Sequence, residues 1–224
     1  MRRLVILRPE PGASATAAAA GRLGLETLRM PLFEIRPVPW QTPDPDSFGA
    51  LLLTSANAVR SAGPRLERLA GLPVYCVGGA TSAAAREAGL TVADDGNGGV
   101  DSLLARLPAD LRLLHLAGAH RRAPGGAQQS IDIVTVYEAI EAPAPSNFGK
   151  IEGTVVAVHS ARSGRRLAQL SEASAIDRSS IAIAAISAEA GTAAGPGWKS
   201  VGIAAQPNEQ ALLAIALDLC NNSG

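Results

Sequence analysis

Two short segments of the chain each combine an apolar strand, a hydroxyl side chain and the start of a helix. One is LLLTSANAVR at residues 51–60, and the other is VVAVHSARSGRRL at residues 155–167. Serine, threonine and asparagine are favoured at helix N-caps because their oxygens accept hydrogen bonds from the free N–H groups of the first turn. Those N–H groups, with the helix dipole, also bind anions. The pattern predicts a site for a polyanionic small molecule, with helix capping alone as the alternative. The side chains concerned are Thr54, Ser55, Asn57, Ser160 and Ser163.

A second pair of turns has the same potential. The apolar strand at residues 74–77 is followed by GGAT, and the matching place in the second half carries a serine. Glycine allows a ligand to approach the backbone closely, but it also serves a plain sharp turn from strand to helix. These turns add five candidate binding residues, namely Gly78, Gly79, Ala80, Thr81 and Ser187.

Cationic side chains near strand ends could bind the carboxylates of such a ligand. Arg8 ends the first strand, where it could bind a carboxylate or pair with Glu10 on the surface. His120, Arg121 and Arg122 follow a later strand and form the densest basic cluster in the middle of the chain. Arg121 is therefore a candidate for carboxylate binding, and a solvated loop is the alternative.

Tyr137 is one of two tyrosines and lies in the apolar segment VTVYEAI. A phenol has a pKa near 10 and is protonated at neutral pH, so that it can donate a proton. The alternative is a packing role in which the hydroxyl is bonded to a backbone carbonyl.

Other polar motifs predict no chemistry. The three histidines lack metal-ligand spacing, so no metal is expected; His115 is expected to be a core histidine with a backbone partner. Residues 94–99, DDGNGG, match neither a dinucleotide nor a calcium loop and are expected to form a turn. There is no GxSxG nucleophile elbow.

Composition excludes several classes of partner. Lys+Arg and Asp+Glu each number 20 among 224 residues, so no net charge attracts nucleic acid or a membrane surface. Aromatic residues make up 3%, too few for base stacking. The two cysteines are expected to be reduced, and no apolar run approaches the roughly 18 residues of a membrane helix. The apolar stretch near the start is broken by Pro9 and Pro11, so the expected compartment is the cytoplasm.

Short apolar strands alternate with helices along the whole chain, which predicts an α/β fold with doubly wound parallel sheets. Among the predicted elements are a strand over residues 28–35 and a helix over residues 56–69. The two halves echo each other, since VYCVGGATSAAARE matches IAAISAEAGTAA and LETLRMPLFEIRP matches IDIVTVYEAIEAP. This repeat predicts two lobes. Residues 1–35 and 144–224 form a discontinuous lobe, residues 38–135 an inserted one, and residues 36–37 and 136–143 two hinge strands.

Six segments together resemble one known family, uroporphyrinogen-III synthase, in their order along the chain. They are LLLTSANAVR, VYCVGGATSAAAREAGL, LLHLAGAHRR, VTVYEAI, VAVHSARSG and VGIAAQPNEQALLAI. The resemblance implies two flavodoxin-like lobes joined by a two-stranded ladder. It implies hydroxymethylbilane as substrate, loss of its hydroxyl as water, attack by ring D to give a spiro intermediate, and closure to uroporphyrinogen III with ring D inverted. No cofactor is implied.

The resemblance also bears on single residues. The family's proposed active-site tyrosine falls at Tyr137, which would donate to the departing hydroxyl. The family commonly has a Gly-Pro-Thr-Thr-like turn where this chain has Ser187, Ala188 and Glu189. The carboxylate of Glu189 would either point away from an anionic substrate or weaken that half of the site.

Two other functions stay open at this point. A two-lobed cytoplasmic binding or sensor module would share the architecture, and a non-catalytic relative of the synthase would share the sequence. Nothing in the sequence demands more than a monomer, and a transient contact with the preceding pathway enzyme is left open.

Overall fold

The computed structural model describes residues 1–96, 99–121 and 125–221. Strands and helices alternate along these residues, as in α/β proteins. The strands are β1 Leu4–Ile6, β2 Thr27–Arg29, β3 Phe33–Pro37, β4 Ala50–Leu53, β5 Val74–Val77, β6 Val92–Gly96, β7 Leu113–Gly118, β8 Ile131–Glu141, β9 Val155–Val158, β10 Ala182–Ala185 and β11 Ser200–Ile203. The α-helices are α1 Gly12–Arg22, α2 Ala56–Ala62, α3 Gly79–Glu87, α4 Val100–Leu104, α5 Ala161–Ala173, α6 Ala188–Ala193 and α7 Glu209–Asn221.

The chain divides into two compact units, each with its own sheet. Unit 1 contains Met1–Glu34 and the chain from Glu141 onward, and unit 2 contains Ile35–Ile140. In unit 1 the strand order is β11-β10-β9-β1-β2, with every neighbouring pair parallel. In unit 2 the order is β3-β8-β7-β4-β5-β6, and the pairs from β8 to β6 are parallel. The predicted α/β class with parallel sheets is confirmed.

The sheet of unit 2 is buried on both faces, which explains the uninterrupted apolar strands. Leu51 and Leu53 belong to one core cluster, and Leu52 belongs to another together with Leu113. Successive side chains of a strand point to opposite faces, so these clusters lie on opposite sides of β4. A strand covered on both sides reads as a continuous apolar run rather than an alternating one.

The two sheets have the same strand order once the chain order of unit 1 is rotated. If the strands of unit 1 are numbered 1 to 5 in the sequence β9, β10, β11, β1, β2, they lie in the sheet in the order 3-2-1-4-5. Strands β4 to β8 of unit 2, numbered 1 to 5 in chain order, lie in the same order. In each sheet the winding reverses between the first and the fourth of these strands. Ligands of open α/β sheets bind beyond the carboxyl ends of the strands at such switch points. The switch points lie between β4 and β7 and between β9 and β1.

Two predicted elements are interrupted by proline or glycine. The predicted strand over residues 28–35 is wrong as one element, because Pro31 cannot donate to a ladder and separates β2 from β3. The predicted helix over residues 56–69 ends as an α-helix at Ala62. Gly63 has a φ of +65° and is followed by Pro64, so the chain continues as a 3₁₀ helix over Gly63–Leu69.

The acidic segment expected to be a turn is part of a strand instead. Asp94, Asp95 and Gly96 pair with β5 in the edge strand β6. An edge strand tolerates charged side chains because they reach solvent and neighbouring cations. Here Asp94 is 2.7 Å from the Arg106 guanidinium, and Asp95 is 3.6 Å from that of Arg86. Asn97 and Gly98 of the same motif lie outside the described residues.

Four further observations concern the cysteines, the chain ends, membrane spans and metal sites. Cys76 and Cys220 are buried and free, as predicted. The Arg2 N–H donates to the Cys220 carbonyl at 2.9 Å, so the end of α7 lies beside the start of β1. No helix in the described parts of the chain is long and apolar enough to cross a membrane. Within those same parts, no three His, Cys, Asp or Glu side chains are grouped to hold a metal ion.

Candidate functional site

Ser55 and Tyr137 meet at the carboxyl end of the sheet in unit 2. Ser55 follows β4 with extended backbone and caps α2, and its Oγ accepts a hydrogen bond from the Asn57 N–H at 3.2 Å. The Tyr137 hydroxyl donates to the same Oγ at 3.2 Å. The expected alternative, a bond from Tyr137 to a backbone carbonyl, is therefore wrong. The structure connects two residues that the sequence singled out separately.

The absence of a side chain at Gly118 leaves the space that the phenol ring of Tyr137 occupies. The pairing of β7 with β8 shifts register between Ala117 and Gly118, so that Gly118 lies opposite Tyr137. A Cβ on Gly118 would lie 2.6 Å from Cζ of Tyr137 and 2.9 Å from its hydroxyl. Side-chain contacts this short do not occur, so glycine is required for this ring position. Sequence reasoning missed Gly118, although a lone glycine in an apolar strand signals a close approach.

The hydroxyl of Thr54 is held by a buried histidine. Thr54 Oγ1 lies 3.0 Å from Nε2 of His115 on the neighbouring strand β7. Burial, together with the nearby charge of Arg121, lowers the pKa of His115 from 6.5 to about 4. The imidazole is therefore neutral at neutral pH. His115 is a core histidine as predicted, but its partner is a side-chain hydroxyl and not the backbone.

Arg121 lies at the same end of the sheet. Its guanidinium donates to the Gly118 carbonyl at 3.1 Å and to Thr135 Oγ1 at 3.5 Å. Since Thr135 lies two residues before Tyr137 on β8, the cation is close to the Ser55–Tyr137 pair. The side chain is exposed and can bind an anion. Arg122, its predicted neighbour in the basic cluster, lies outside the described residues.

The glycine-rich turn after β5 has the backbone that its sequence predicts. Gly78 caps α3 with a φ of +85°, a conformation that favours glycine. Gly79 and Ala80 are exposed and would leave room for a ligand, while the side chain of Thr81 is buried. The Thr81 N–H donates to the Gly78 carbonyl at 3.0 Å, closing the turn.

In unit 1, Ser160 and Ser163 form a capping box at the start of α5. The Ser163 N–H donates to Ser160 Oγ at 3.1 Å, and the Ser160 N–H donates to Ser163 Oγ at 3.2 Å. Ser163 is buried, whereas Ser160 is exposed. The reciprocal bonds account for both hydroxyl oxygens as helix caps, and Ser160 is the one that remains accessible to a ligand.

Arg8 has a carboxylate partner, but it is not the predicted one. Its guanidinium donates to Glu209 Oε2 at 3.0 Å and to Thr16 Oγ1 at 3.3 Å. Glu10 instead pairs with Arg29 at 2.9 Å, so the expected Arg8–Glu10 alternative is wrong. Glu209 is the first residue of α7 and follows Arg8 by 201 positions in the chain, so no local pattern could have indicated this pair.

His159 completes this cluster and occupies the place that Thr54 has in unit 2. Only 9% of its side chain is exposed, and its Nε2 lies 3.4 Å from Glu209 Oε2. Burial lowers the pKa of His159 despite the neighbouring carboxylate. Burial alone would raise the pKa of Glu209, but contacts with His159, Thr16 and Arg8 outweigh it and lower that pKa. Sequence reasoning missed both Glu209 and His159 as members of this cluster.

Ser187 caps α6 through a hydrogen bond from the Ala190 N–H to its Oγ at 3.2 Å. The helix has only six residues. Glu189, whose carboxylate raised doubt about this turn, is exposed in its first turn.

These sites can be compared with known proteins. The family model described as uroporphyrinogen-III synthase HemD matches residues 14–214. The chain is similar to the crystal structure of uroporphyrinogen-III synthetase from Helicobacter pylori 26695, with a TM-score of 0.62, 20% identity, and coverage of 98% of this chain and 100% of that chain.

It is also similar to a mutant uroporphyrinogen III synthase from Thermus thermophilus, with a TM-score of 0.54, 18% identity and 97% coverage of each chain. At these identities the structural likeness shows a shared fold. A comparison with curated proteins finds no match. The family match covers most of the chain and confirms the resemblance seen in the sequence. The chain belongs to the uroporphyrinogen-III synthase family, and it is a lyase of tetrapyrrole biosynthesis.

Proposed function

We propose that this chain closes hydroxymethylbilane to uroporphyrinogen III at the switch point of unit 2, with Tyr137 as the acid. The observation that carries this assignment is the hydrogen bond between Tyr137 and Ser55, which places a phenol beside a helix start suited to carboxylates. The reaction proceeds by loss of the substrate hydroxyl as water, attack by ring D to form a spiro intermediate, and reclosure with ring D inverted.

The phenol supports the first step. The departing hydroxyl needs a proton, and an un-ionised phenol can supply one at neutral pH. Proton transfer by a placed group typically contributes about 10²–10⁴-fold to a rate. Loss of the hydroxyl leaves a cationic azafulvene, which the protein must keep from water until ring D attacks.

Carboxylate binding falls to the polar turns at the strand ends. In unit 2 these are the helix start at Ser55 and Asn57, held by the cap bond, and the exposed backbone at Gly79 and Ala80. Arg121 supplies a cation near the phenol. In unit 1 the accessible groups are Ser160 and Ser187. Arg8 already shares its charge with Glu209, so it would bind a substrate carboxylate only in competition with that residue.

The two segments that connect the units, in β3 and β8, are proposed to act as a hinge. These strands are neighbours in one sheet, and paired connections restrict motion to bending about the pair. We also propose that the enzyme acts in the cytoplasm and receives its substrate there, with a transient contact to the preceding enzyme as one route of delivery.

The experiment that tests the function is a coupled assay. Hydroxymethylbilane is generated in situ, the protein is added, the products are oxidised, and the type I and type III porphyrin isomers are separated. Dominant type III product is expected. Type I alone, the product of uncatalysed closure, would make the chain a binding module or a non-catalytic relative. The family match does not favour the sensor alternative.

A further inference from the structure

The hydrogen bonds around Ser55 have a direction that bears on proton transfer. Ser55 Oγ accepts one bond from the Asn57 N–H and a second from the Tyr137 hydroxyl, each at 3.2 Å. A hydroxyl has two acceptor lone pairs and one proton. Both lone pairs of Ser55 are therefore used, while its proton is not used in either bond. The proton of Tyr137, by contrast, is already directed at Ser55.

We propose that the acid Tyr137 acts through Ser55: Ser55 is the catalytic residue that transfers its proton to the departing hydroxyl, and Tyr137 replaces that proton. This rests on the proposed function. The two hydroxyls then form a relay in which Tyr137 strengthens the acidity of Ser55 by donating to its oxygen. Donation to a hydroxyl oxygen polarises its own O–H bond, because hydrogen bonds in a chain reinforce one another.

The relay balances in protons and electrons. The Ser55 proton moves to the hydroxyl oxygen of the substrate, the C–O bond breaks with its electron pair, and water leaves together with the formation of the azafulvene cation. Ser55 takes the Tyr137 proton in the same event, which leaves a phenolate. When the macrocycle closes, the ring D carbon that has formed the new bond carries one proton too many. That proton returns to the phenolate through Ser55, so the enzyme is restored without any co-reactant.

The other hydroxyls at the strand ends are less suited to this role. Thr54 is bonded to the His115 ring, and Ser160 shares its bonds with Ser163 in the capping box. Ser160 therefore offers the matched comparison, since it is a helix cap after an equivalent strand but is bonded to a serine and not to a phenol.

A double-mutant cycle tests the relay. The type III activity is measured for Ser55→Gly, Tyr137→Phe and the double variant. Glycine removes the hydroxyl but remains an acceptable N-cap, at a cost of only a few tenths of a kcal/mol. We expect each single change to lower kcat about tenfold or more, and the double variant to be no slower than the slower single variant. Two residues that act as one unit are non-additive in this way.

Independent effects of the two substitutions on kcat would overturn the proposal. If the double variant loses the product of the two single losses, Ser55 and Tyr137 act separately, and the relay is wrong. Nearly wild-type kcat in Ser55→Gly would also exclude it. Ser55→Thr, which keeps a hydroxyl and a cap, should restore most of the lost kcat.

The matched control is the cycle of Ser160→Gly with Tyr137→Phe, for which we expect additive losses. Folding of each variant is checked by thermal unfolding. Failure of the relay is distinguishable from failure of the proposed function, because the latter would appear as type I product from the wild-type protein.

Discussion

Gly118 lies so close to the phenol of Tyr137 that even one methyl group would displace the ring. We therefore expect Gly118→Ala to lose most of the activity that Tyr137→Phe loses, about tenfold or more in kcat. The fold should persist, because Tyr137 is only half-buried and its ring can move toward solvent. The measurement is the initial rate of type III formation, with circular dichroism as the check on folding.

Gly71 provides the matched glycine for this experiment. A Cβ there would have no neighbour within 4 Å, and the residue lies in an exposed turn of the same unit. Gly71→Ala should keep the wild-type rate. Equal rates in Gly118→Ala and the wild type would show that the position of the phenol is not important for catalysis.

His115 links the site to the pH dependence of stability. Its pKa is about 4 in the folded protein and about 6.5 when unfolded, so the unfolded chain takes up the proton first as the pH falls. The free energy of unfolding therefore holds the full contribution of the buried, neutral His115 above pH 6.5 and loses it as the pH falls from 6.5 to 4. This contribution is about 3 kcal/mol. Denaturant unfolding of wild type and His115→Gln at pH 7 and pH 4.5 measures it.

The wild type should lose more stability than His115→Gln over this pH range, since glutamine does not titrate. His120→Gln, a change of the same type at an exposed position, is the control and should behave as the wild type does. An identical pH dependence in all three proteins would contradict the burial of a neutral His115.

The individual site residues were predictable from sequence, but their partners were not. Ser55 follows an apolar strand, and Tyr137 lies in the family's segment, so each carried a local signal. Their hydrogen bond spans 82 positions in the chain, and that between Arg8 and Glu209 spans 201. Only the tertiary fold, through its strand order and the packing of α7, brings such residues together, and no local sequence pattern encodes either.

At the scale of elements, α5 and α6 pack with almost no space between their backbones. A Cβ on Gly164 of α5 would lie 2.7 Å from the Ala190 carbonyl oxygen and 3.0 Å from the Ala194 nitrogen. Backbone atoms cannot move aside as a flexible side chain can. We expect Gly164→Ala to destabilise the protein by about 1–3 kcal/mol through overpacking. Equilibrium denaturation measures the change.

Gly21 is the control for this helix contact. It lies in α1, and a methyl group added there would have no atom within 4 Å. Alanine has the higher helix propensity, so Gly21→Ala should stabilise by about 0.5–1 kcal/mol. If both variants were stabilised, propensity would outweigh packing at Gly164, and the helices could separate at little cost.

The type of the elements was more predictable from the sequence than the residues at which they begin and end. Apolar runs identified the strands because both faces of the sheet in unit 2 are covered. Pro31 and the Gly63–Pro64 pair then divided two elements that the apolar pattern alone made continuous. A strand was predicted over residues 90–93, but the acidic part of the edge strand β6 was missed. Its charges are paired with Arg86 in α3 and with Arg106 in the turn after α4.

At the scale of the whole molecule, the internal repeat was predictable, and the rotated strand order was not. The matching sequence segments of the two halves fall on corresponding strands. The serine turns at Ser55 and Ser160 follow β4 and β9, and the turns at Gly78 and Ser187 follow β5 and β10. A repeat indicates two similar units but does not say at which strand each unit starts. That information comes only from the order β11-β10-β9-β1-β2.

The bond between Arg2 and the Cys220 carbonyl has a consequence for how the chain can be cut. Because α7 ends where β1 begins, a short linker could join them and make the polypeptide a closed ring of two like modules. Opening that ring between Ala144 and Pro145, in an exposed segment, would give β9, β10, β11, β1 and β2 in succession, followed by β3 to β8. We expect this permuted enzyme to fold and to form type III product, because every parallel pair is kept.

A ring opened instead between Val156 and Ala157, inside a buried strand, is the control and should not fold. If the first permutant also failed, the present order of segments would be a requirement of folding. If it succeeds, the discontinuous unit is one module split by the position of its ends, and the protein is a tandem duplication read from a different starting strand.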